Sequence, residues 1–333
     1  MSKNKKVLPG VNSNERLVKK KVKTNPNFGK KIQERTVEEL LENGIIIIDK
    51  PNGPTSHQVD SWIKKILGTE KVGHSGTLDP NATGILPIGV GDATKTLPFL
   101  LLAGKEYVGI MMLHKDIDEK KIRTVCESFV GEIVQLPPVR SAVKRIHRRR
   151  KIYYFDIIQI KNREVLFRVG CESGTYVRTI CVDMGRKLGA GAHLAELRRT
   201  QVGHIKESDC ILLHDLKDSF VFYKEDKDES SIRSILHPIE YILIHLPKIV
   251  VRDSAVDALC HGASLALPGV VEVDTGIKKN DIILILTLKD EAVAVGKSLM
   301  STEEMIQKEK GFCTNLERVV MKKGTYPSIW KKT

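Results

Sequence analysis

Gly73-His74-Ser75-Gly76-Thr77-Leu78-Asp79-Pro80-Asn81-Ala82-Thr83-Gly84 carries more information than any other stretch of this chain. Glycine frees the backbone and proline removes a donor, so three glycines and a proline in this segment argue against a plain helix or strand. Asp79 is the only carboxylate of the segment, and Pro80 biases it away from helical dihedrals. A carboxylate fixed on a tight turn, among hydroxyl groups and a histidine, suits covalent catalysis. The same residues also suit an ordinary turn in which Asp79 and Ser75 bond their own backbone. Both readings stand on these residues alone.

Working outward, residues 45–48 are four isoleucines that read as a short buried strand, broken by Pro51 and Gly53. Thr55 then caps a helix with Val59, Trp62, Ile63 and Ile66 on its apolar face. Lys50, at the end of the strand, reads as a solvated charge without a catalytic role. Lys105-Glu106-Tyr107 opens a strand-like run to Met112, in which Tyr107 is a core aromatic with a satisfied hydroxyl. Residues 165–169 read as a strand, with Gly170 and Gly174 turning the chain. Thr175 is placed to cap a helix whose apolar positions are Val177, Ile180, Cys181, Met184 and Leu188.

Several chemistries are disfavoured. The loop is not Gly-x-Gly-x-x-Gly, and Gly296-Lys297-Ser298 lacks the earlier P-loop glycine because position 291 is Glu. No His-Glu-x-x-His occurs, and Cys126, Cys171, Cys181, Cys210, Cys260 and Cys313 form no Cys-x-x-Cys pair, so no metal site is expected. Reduced, mostly buried thiols in a cytoplasmic protein are expected. Apolar stretches such as residues 97–103 are too short to span a bilayer, and no apolar run marks a signal peptide.

The 333 residues exceed a typical single domain, and 41% hydrophobic content is enough for real cores. A formal charge of +13 implies a polyanionic partner, most simply nucleic acid. Residues 1–35 hold eleven Lys or Arg against two Glu and read as a basic arm, either a solvated tail or one that folds onto RNA or onto a second domain. Lys144-Arg145-Ile146-His147-Arg148-Arg149-Arg150-Lys151, after Pro137-Pro138, packs six cations into eight residues, and such a loop meets a phosphate backbone. Residues 224–231 read as an exposed charged loop. A domain boundary falls near Pro247, after which short strands at 249–251, 269–273, 281–287 and 292–295, with a helix starting at Asp253, suggest a small β-barrel.

The segment at 73–84 resembles the catalytic motif of the TruB/dyskerin family of pseudouridine synthases. Other family segments recur in order: Asp49-Lys50-Pro51-Asn52-Gly53-Pro54-Thr55-Ser56-His57, the Lys-x-Tyr of Lys105-Glu106-Tyr107, and Ser173-Gly174-Thr175-Tyr176-Val177-Arg178-Thr179. Ser75 and Asn25-Pro26-Asn27-Phe28-Gly29-Lys30 look like the dyskerin branch, in its archaeal form. Cys260-His261-Gly262-Ala263 and Arg318-Val319-Val320-Met321 resemble a PUA domain. The likeness runs from about Asn25 to Trp330.

That resemblance implies an α+β fold. A basic arm (1–35) precedes a catalytic domain of mixed, largely antiparallel sheet (36–247), and a small PUA β-barrel follows (248–333). It implies a uridine-to-pseudouridine isomerase with Asp79 as nucleophile, acting at C1′ or C6 or through a glycal. Arg178 pairs with Asp79 and keeps it ionised. Tyr107 stacks on the base or moves a proton, and Tyr176 contacts the base. His74 enters the RNA fold, while Lys144, Arg145, Arg148, Arg149, Arg150 and Lys151 form a thumb loop on the substrate. An isomerisation needs no cofactor or metal. The implied partners are RNA and the small proteins of H/ACA particles, with no membrane. The RNA is ribosomal RNA chosen by an H/ACA guide, or alternatively the T-loop of tRNA recognised by the enzyme alone. Two other classes stay open: a non-catalytic RNA-binding scaffold, and a glycoside hydrolase, which normally needs two carboxylates where this loop has one.

Overall fold

The structure, a computed structural model, describes residues 8–9, 15–137 and 144–328. Residues 1–7 and 10–14 of the basic arm, Pro138 and Trp330 lie outside the described residues.

The isoleucine run forms the strand Gly44–Lys50, and Ile45, Ile46, Ile47 and Ile48 are at most 1% exposed. A strand buried on both faces reads as a continuous apolar run rather than an alternating one. It lies in a 10-stranded sheet. The order is His237–Pro238, Gly44–Lys50, Ala82–Val90, Ala192–Val202, Lys105–Leu113, Glu164–Cys171, Arg148–Lys161 and Gly131–Gln135, with Val72–His74 added on Ala82–Val90 and Ile205–Lys206 on Ala192–Val202. Its ladders are antiparallel except where Ala82–Val90 meets Ala192–Val202. The helix Val177–Leu188 covers one half with Ile180, Cys181 and Met184, all fully buried, and the helix Ser56–Leu67 covers the other with Val59 and Ile63.

A second, seven-stranded sheet holds the C-terminal part. It comprises Lys248–Val251, Leu265–Ala266, Val270–Asp274, Ile282–Leu286, Ala292–Ser298 and Phe312–Val319, with the helix Asp253–Cys260 packed on it. Its remaining strand is Arg16–Val18, which pairs antiparallel with Val270–Asp274. The arm therefore folds onto the second sheet, where Phe28 packs edge-on to Tyr326 and Lys289 Nζ donates to the carbonyl of Pro26 at 2.9 Å. One apolar cluster unites both sheets through Ile45, Leu243, Val250 and Leu284. Beside it Arg35 makes a bidentate pair with Glu240, 2.7 Å at each contact. Among the described residues no helix is long and apolar enough to cross a membrane.

Several local expectations change. Trp62 is 41% exposed, and the helix Ser56–Leu67 instead buries Asp60. Gly170 is not a turn but part of the strand Glu164–Cys171, where a Cβ would lie 2.3 Å from the Tyr154 ring packed over it. Thr175 does not cap the next helix: its hydroxyl donates to the carbonyl of Glu172, and Tyr176 occupies the cap position. Residues 224–231 are not one loop, since Leu213–Glu225 and Ser230–Ile235 are helices. Arg148, Arg149, Arg150 and Lys151 open the strand Arg148–Lys161 rather than sitting in a loop, because the backbone of Gly131–Gln135 pairs with them. The strand Phe312–Val319 was not anticipated.

Candidate active site

Residues 75–81 form a connection between the strands Val72–His74 and Ala82–Val90. Its shape is set by donors that grip alternate carbonyls. Arg199 Nη2 donates to Gly76 O at 2.9 Å, and the Ser56 hydroxyl donates to Leu78 O at 3.2 Å. Lys50 Nζ donates to Pro80 O at 2.9 Å and to Ala82 O at 2.8 Å. Ser56 Oγ also accepts from the Leu78 N–H at 3.0 Å. Gly84, at φ +99, completes the hold, because a Cβ there would lie 2.3 Å from the Arg199 carbonyl. Buried hydrogen bonds to charged donors are the strong kind, so the loop is preorganised.

Lys50 is thus not a solvated charge. It is fully buried, and burial pushes its pKa down despite the opposing pull of Asp79. The sequence reading also missed Arg199, which is 1% exposed and bonds Ile85 O at 2.7 Å. Neither has a sequence signal, since exposed Lys and Arg are the common case.

The gripped loop presents Asp79 outward, with its side chain 55% exposed. Arg178 lies in the first turn of the helix Val177–Leu188 and donates from Nη2 to Asp79 Oδ2, so the expected pair is formed. Half-exposed ion pairs contribute about 0–1 kcal/mol to stability, so fold stability is a weak reason for this one. Asp79, Arg178, Pro80, Asn81, Leu194 and Leu197 line one pocket.

Tyr107 is paired with Arg199 across the ladder, and both are buried. Burial raises the Tyr107 pKa, Arg199 opposes the rise, and the charge of Asp79 adds to it, so the phenol lies within electrostatic reach of the carboxylate. Lys105, 4% exposed, donates to Ala103 O at 2.8 Å, and burial together with Arg199 brings its pKa from 10.5 down to about 7. The Tyr176 backbone is held at both ends by the buried Gln135 side chain, which accepts from its N–H at 3.0 Å and donates to its carbonyl at 3.1 Å. Gln135 is a further residue that the sequence did not flag.

His74 is not a free loop histidine. Its Nδ1 lies 2.7 Å from Asp60 Oδ2 and its Nε2 3.2 Å from Thr77 Oγ1. In the basic cluster Lys144, Arg145, Arg149 and Lys151 are exposed, and Arg149 pairs with Glu132 at 2.7 Å. The described hydrogen bonds of Arg148, Arg149 and Arg150 stay within that strand pair and its lead-in. Arg150 nonetheless lies against the turn before Tyr176, 3.0 Å from where a Cβ of Gly174 would be. All six cysteines are free, and only Cys210 is partly exposed.

Comparison with known proteins gives the family. Residues 64–177 match the N-terminal domain of the TruB family pseudouridylate synthases, 178–244 the tRNA pseudouridylate synthase B C-terminal domain, 247–320 the PUA domain and 8–60 the DKCLD domain. The probable tRNA pseudouridine synthase B of Methanopyrus kandleri is 50% identical over 97% of this chain and 96% of its own. That of Pyrococcus abyssi is 51% identical over 98% of each. The solved structure of a Cbf5-Nop10-Gar1 complex superposes with a TM-score of 0.93 at 49% identity, over 97% of this chain and 98% of that one. An H/ACA particle bound to a substrate RNA containing 2′-deoxyuridine gives 0.91 at 47% identity, over 97% and 100%. Sharing half its residues with such proteins over nearly its whole length, the chain belongs to the TruB/dyskerin family of pseudouridine synthases.

Proposed function

We propose that this chain isomerises uridine in RNA with Asp79 as the catalytic carboxylate, as the catalytic subunit of a guide-RNA particle acting on ribosomal RNA. One observation carries the first part: a half-exposed carboxylate on a loop clamped from below, with Arg178 on one oxygen. Since Oδ2 takes the arginine, Oδ1 is the oxygen offered to the substrate. Asp79 adds at C1′ or C6, or stabilises a glycal, while the C1′–N1 bond breaks. The base turns, C1′ joins C5, any bond to Asp79 breaks to return the free carboxylate, and the C5 proton is lost as N1 gains one, so nothing is oxidised or reduced. Tyr107 lies under the base and Tyr176 contacts it. The target must first leave its stack, which costs a few kcal/mol. Phosphate contacts from Lys144, Arg145, Arg148, Arg149, Arg150 and Lys151, with His74 holding the flipped state, offset that cost.

Similarity to structures of H/ACA particles, one with a substrate RNA and others with Nop10 and Gar1, supports guided action with small protein partners. The names of the curated relatives mention tRNA, which fits a second reading, in which the protein alone acts on the T-loop. The domain limits 1–35, 36–247 and 248–333 belong to the same proposal.

The test compares wild type with Asp79→Asn on a tRNA T-arm with protein alone, and on a target paired to an H/ACA guide with its partner proteins. Loss of pseudouridine in the variant with RNA affinity kept supports Asp79, and the preferred substrate decides between the readings. A wild type that binds RNA tightly yet modifies neither would point to a scaffold.

A further inference from the structure

The N-terminal turn of the helix Ser56–Leu67 and the end of the strand Val72–His74 bring His57, Asp60 and His74 together at the rim of the Asp79 loop. One ligand atom from each lies within 4.8 Å of the others. We propose that these residues form a site for one divalent transition-metal ion of the zinc class, bound by two imidazoles and a carboxylate. Imidazole with carboxylate is a donor set that zinc accepts. The binding claim goes beyond the pseudouridine synthase reading and does not depend on it.

The distances fit. Donors about 2.0–2.2 Å from a tetrahedral ion lie roughly 3.3–3.5 Å from one another. Here Asp60 Oδ2 is 2.7 Å from His74 Nδ1 and 3.9 Å from His57 Nδ1, on either side of that spacing. To seat an ion, His74 and Asp60 must part by about 0.6–0.8 Å, while His57, whose side chain is 82% accessible, is free to swing in. The other carboxylate oxygen is the second, independent observation. Asp60 is 7% exposed, and its Oδ1 is buried without a hydrogen-bond partner among the described residues. An unpaired oxygen on a buried carboxylate is costly, and a cation held by the same carboxylate offsets that cost. The positive end of the helix opposes a cation, but a full carboxylate charge at the site outweighs a partial one.

The surroundings already supply what a metal-bound histidine needs. With Nδ1 on the ion, His74 carries its proton on Nε2 and donates it to Thr77 Oγ1, 3.2 Å away. Without the ion, Nδ1–H donates to Asp60 and Nε2 accepts from the Thr77 hydroxyl. Binding therefore reverses the tautomer, and the neutral ring keeps its single proton. The open face beside His57 leaves room for a water or an incoming ligand. Sequence spacing did not announce the site, because its donors converge only through the fold.

The experiment is zinc titration of the full-length protein, freed of metal by a chelator, followed by calorimetry at neutral pH. Wild type is compared with His57→Ala, which alters an exposed side chain, and with the isosteric Asp60→Asn. One saturable site is expected, weakened at least tenfold in each variant. His114→Ala, in the exposed His114–His193 pair, is expected to bind as wild type does. No saturable binding at about 100 μM protein, or equal binding in wild type and both site variants with their melting temperatures kept, would overturn the proposal. Inhibition of pseudouridine formation by zinc is a separate consequence, and it alone rests on His74 meeting RNA.

Discussion

Lys50 Nζ lies 2.9 Å from the carbonyl of Pro80, the residue that follows Asp79. The same ammonium reaches Pro51 O at 2.9 Å and Ala82 O at 2.8 Å, so one buried cation ties the end of the strand Gly44–Lys50 to the loop just past Asp79. Lys50→Met keeps the stem and deletes the donors. Leaving buried carbonyls unpaired costs about 1–3 kcal/mol each, so denaturant unfolding should show a loss of several kcal/mol. Single-turnover pseudouridine formation by the folded fraction should also fall, because Asp79 loses its support. A folded variant with unchanged turnover would mean that the grip is structural only.

Arg178 makes the opposite prediction. The Arg178–Asp79 pair is half exposed on both sides, so Arg178→Met should change stability by less than about 1 kcal/mol. Removing a charged donor from a reacting group costs about a hundredfold or more in rate. Arg178→Lys should recover only part of it, since an ammonium cannot reproduce the planar fork. Melting curves set beside single-turnover rates separate the two effects. A Met variant as active as wild type would remove Arg178 from the chemistry.

Much of this was legible in the sequence, for identifiable reasons. Residues 45–48 declare a buried strand by composition, and Val177, Ile180, Cys181, Met184 and Leu188 declare a helix by period. Asp79, Arg178 and Tyr107 were reached through motif likeness, and the structure brings Arg178 onto Asp79. What stayed hidden was the support. Lys50, Arg199 and Gln135 belong to residue types that usually meet water, and only long-range packing places their polar ends on backbone carbonyls and amides. Arg148 to Lys151 misled because repulsion among adjacent cations suggests a loop, whereas strand alternation sends neighbouring side chains to opposite faces.

Lys105 supplies a pH dependence. Burial first, and Arg199 second, lower its pKa from 10.5 to about 7 in the folded protein. As pH falls below 10.5 the unfolded chain takes up the proton before the folded one. The stability contributed at high pH is therefore lost between about pH 10.5 and pH 7 and constant below. For a side chain this buried, the loss amounts to a few kcal/mol at most. Lys105→Met removes the titration. The stability of wild type relative to the variant should decline from pH 10 to pH 7 in parallel denaturant titrations and then level off. A gap independent of pH would show that the lysine keeps its ordinary affinity for the proton.

The basic strand makes a prediction about salt. Lys144, Arg145 and Arg149 are exposed, and the Arg149–Glu132 pair is too accessible to hold its arginine back from phosphate. Each phosphate contact to single-stranded RNA contributes about 0.7 to the slope of log affinity against log salt. If all three cations meet the backbone, the Lys144→Ala, Arg145→Ala, Arg149→Ala triple variant should lower that slope by about 2, whatever the RNA sequence. Asp79→Asn carries no phosphate contact and should leave the slope where it was. Affinity measured from 50 to 300 mM salt distinguishes the cases. An unchanged slope in the triple variant would move the RNA path away from Arg148–Lys161 and onto the second sheet, where the arm and its lysines lie.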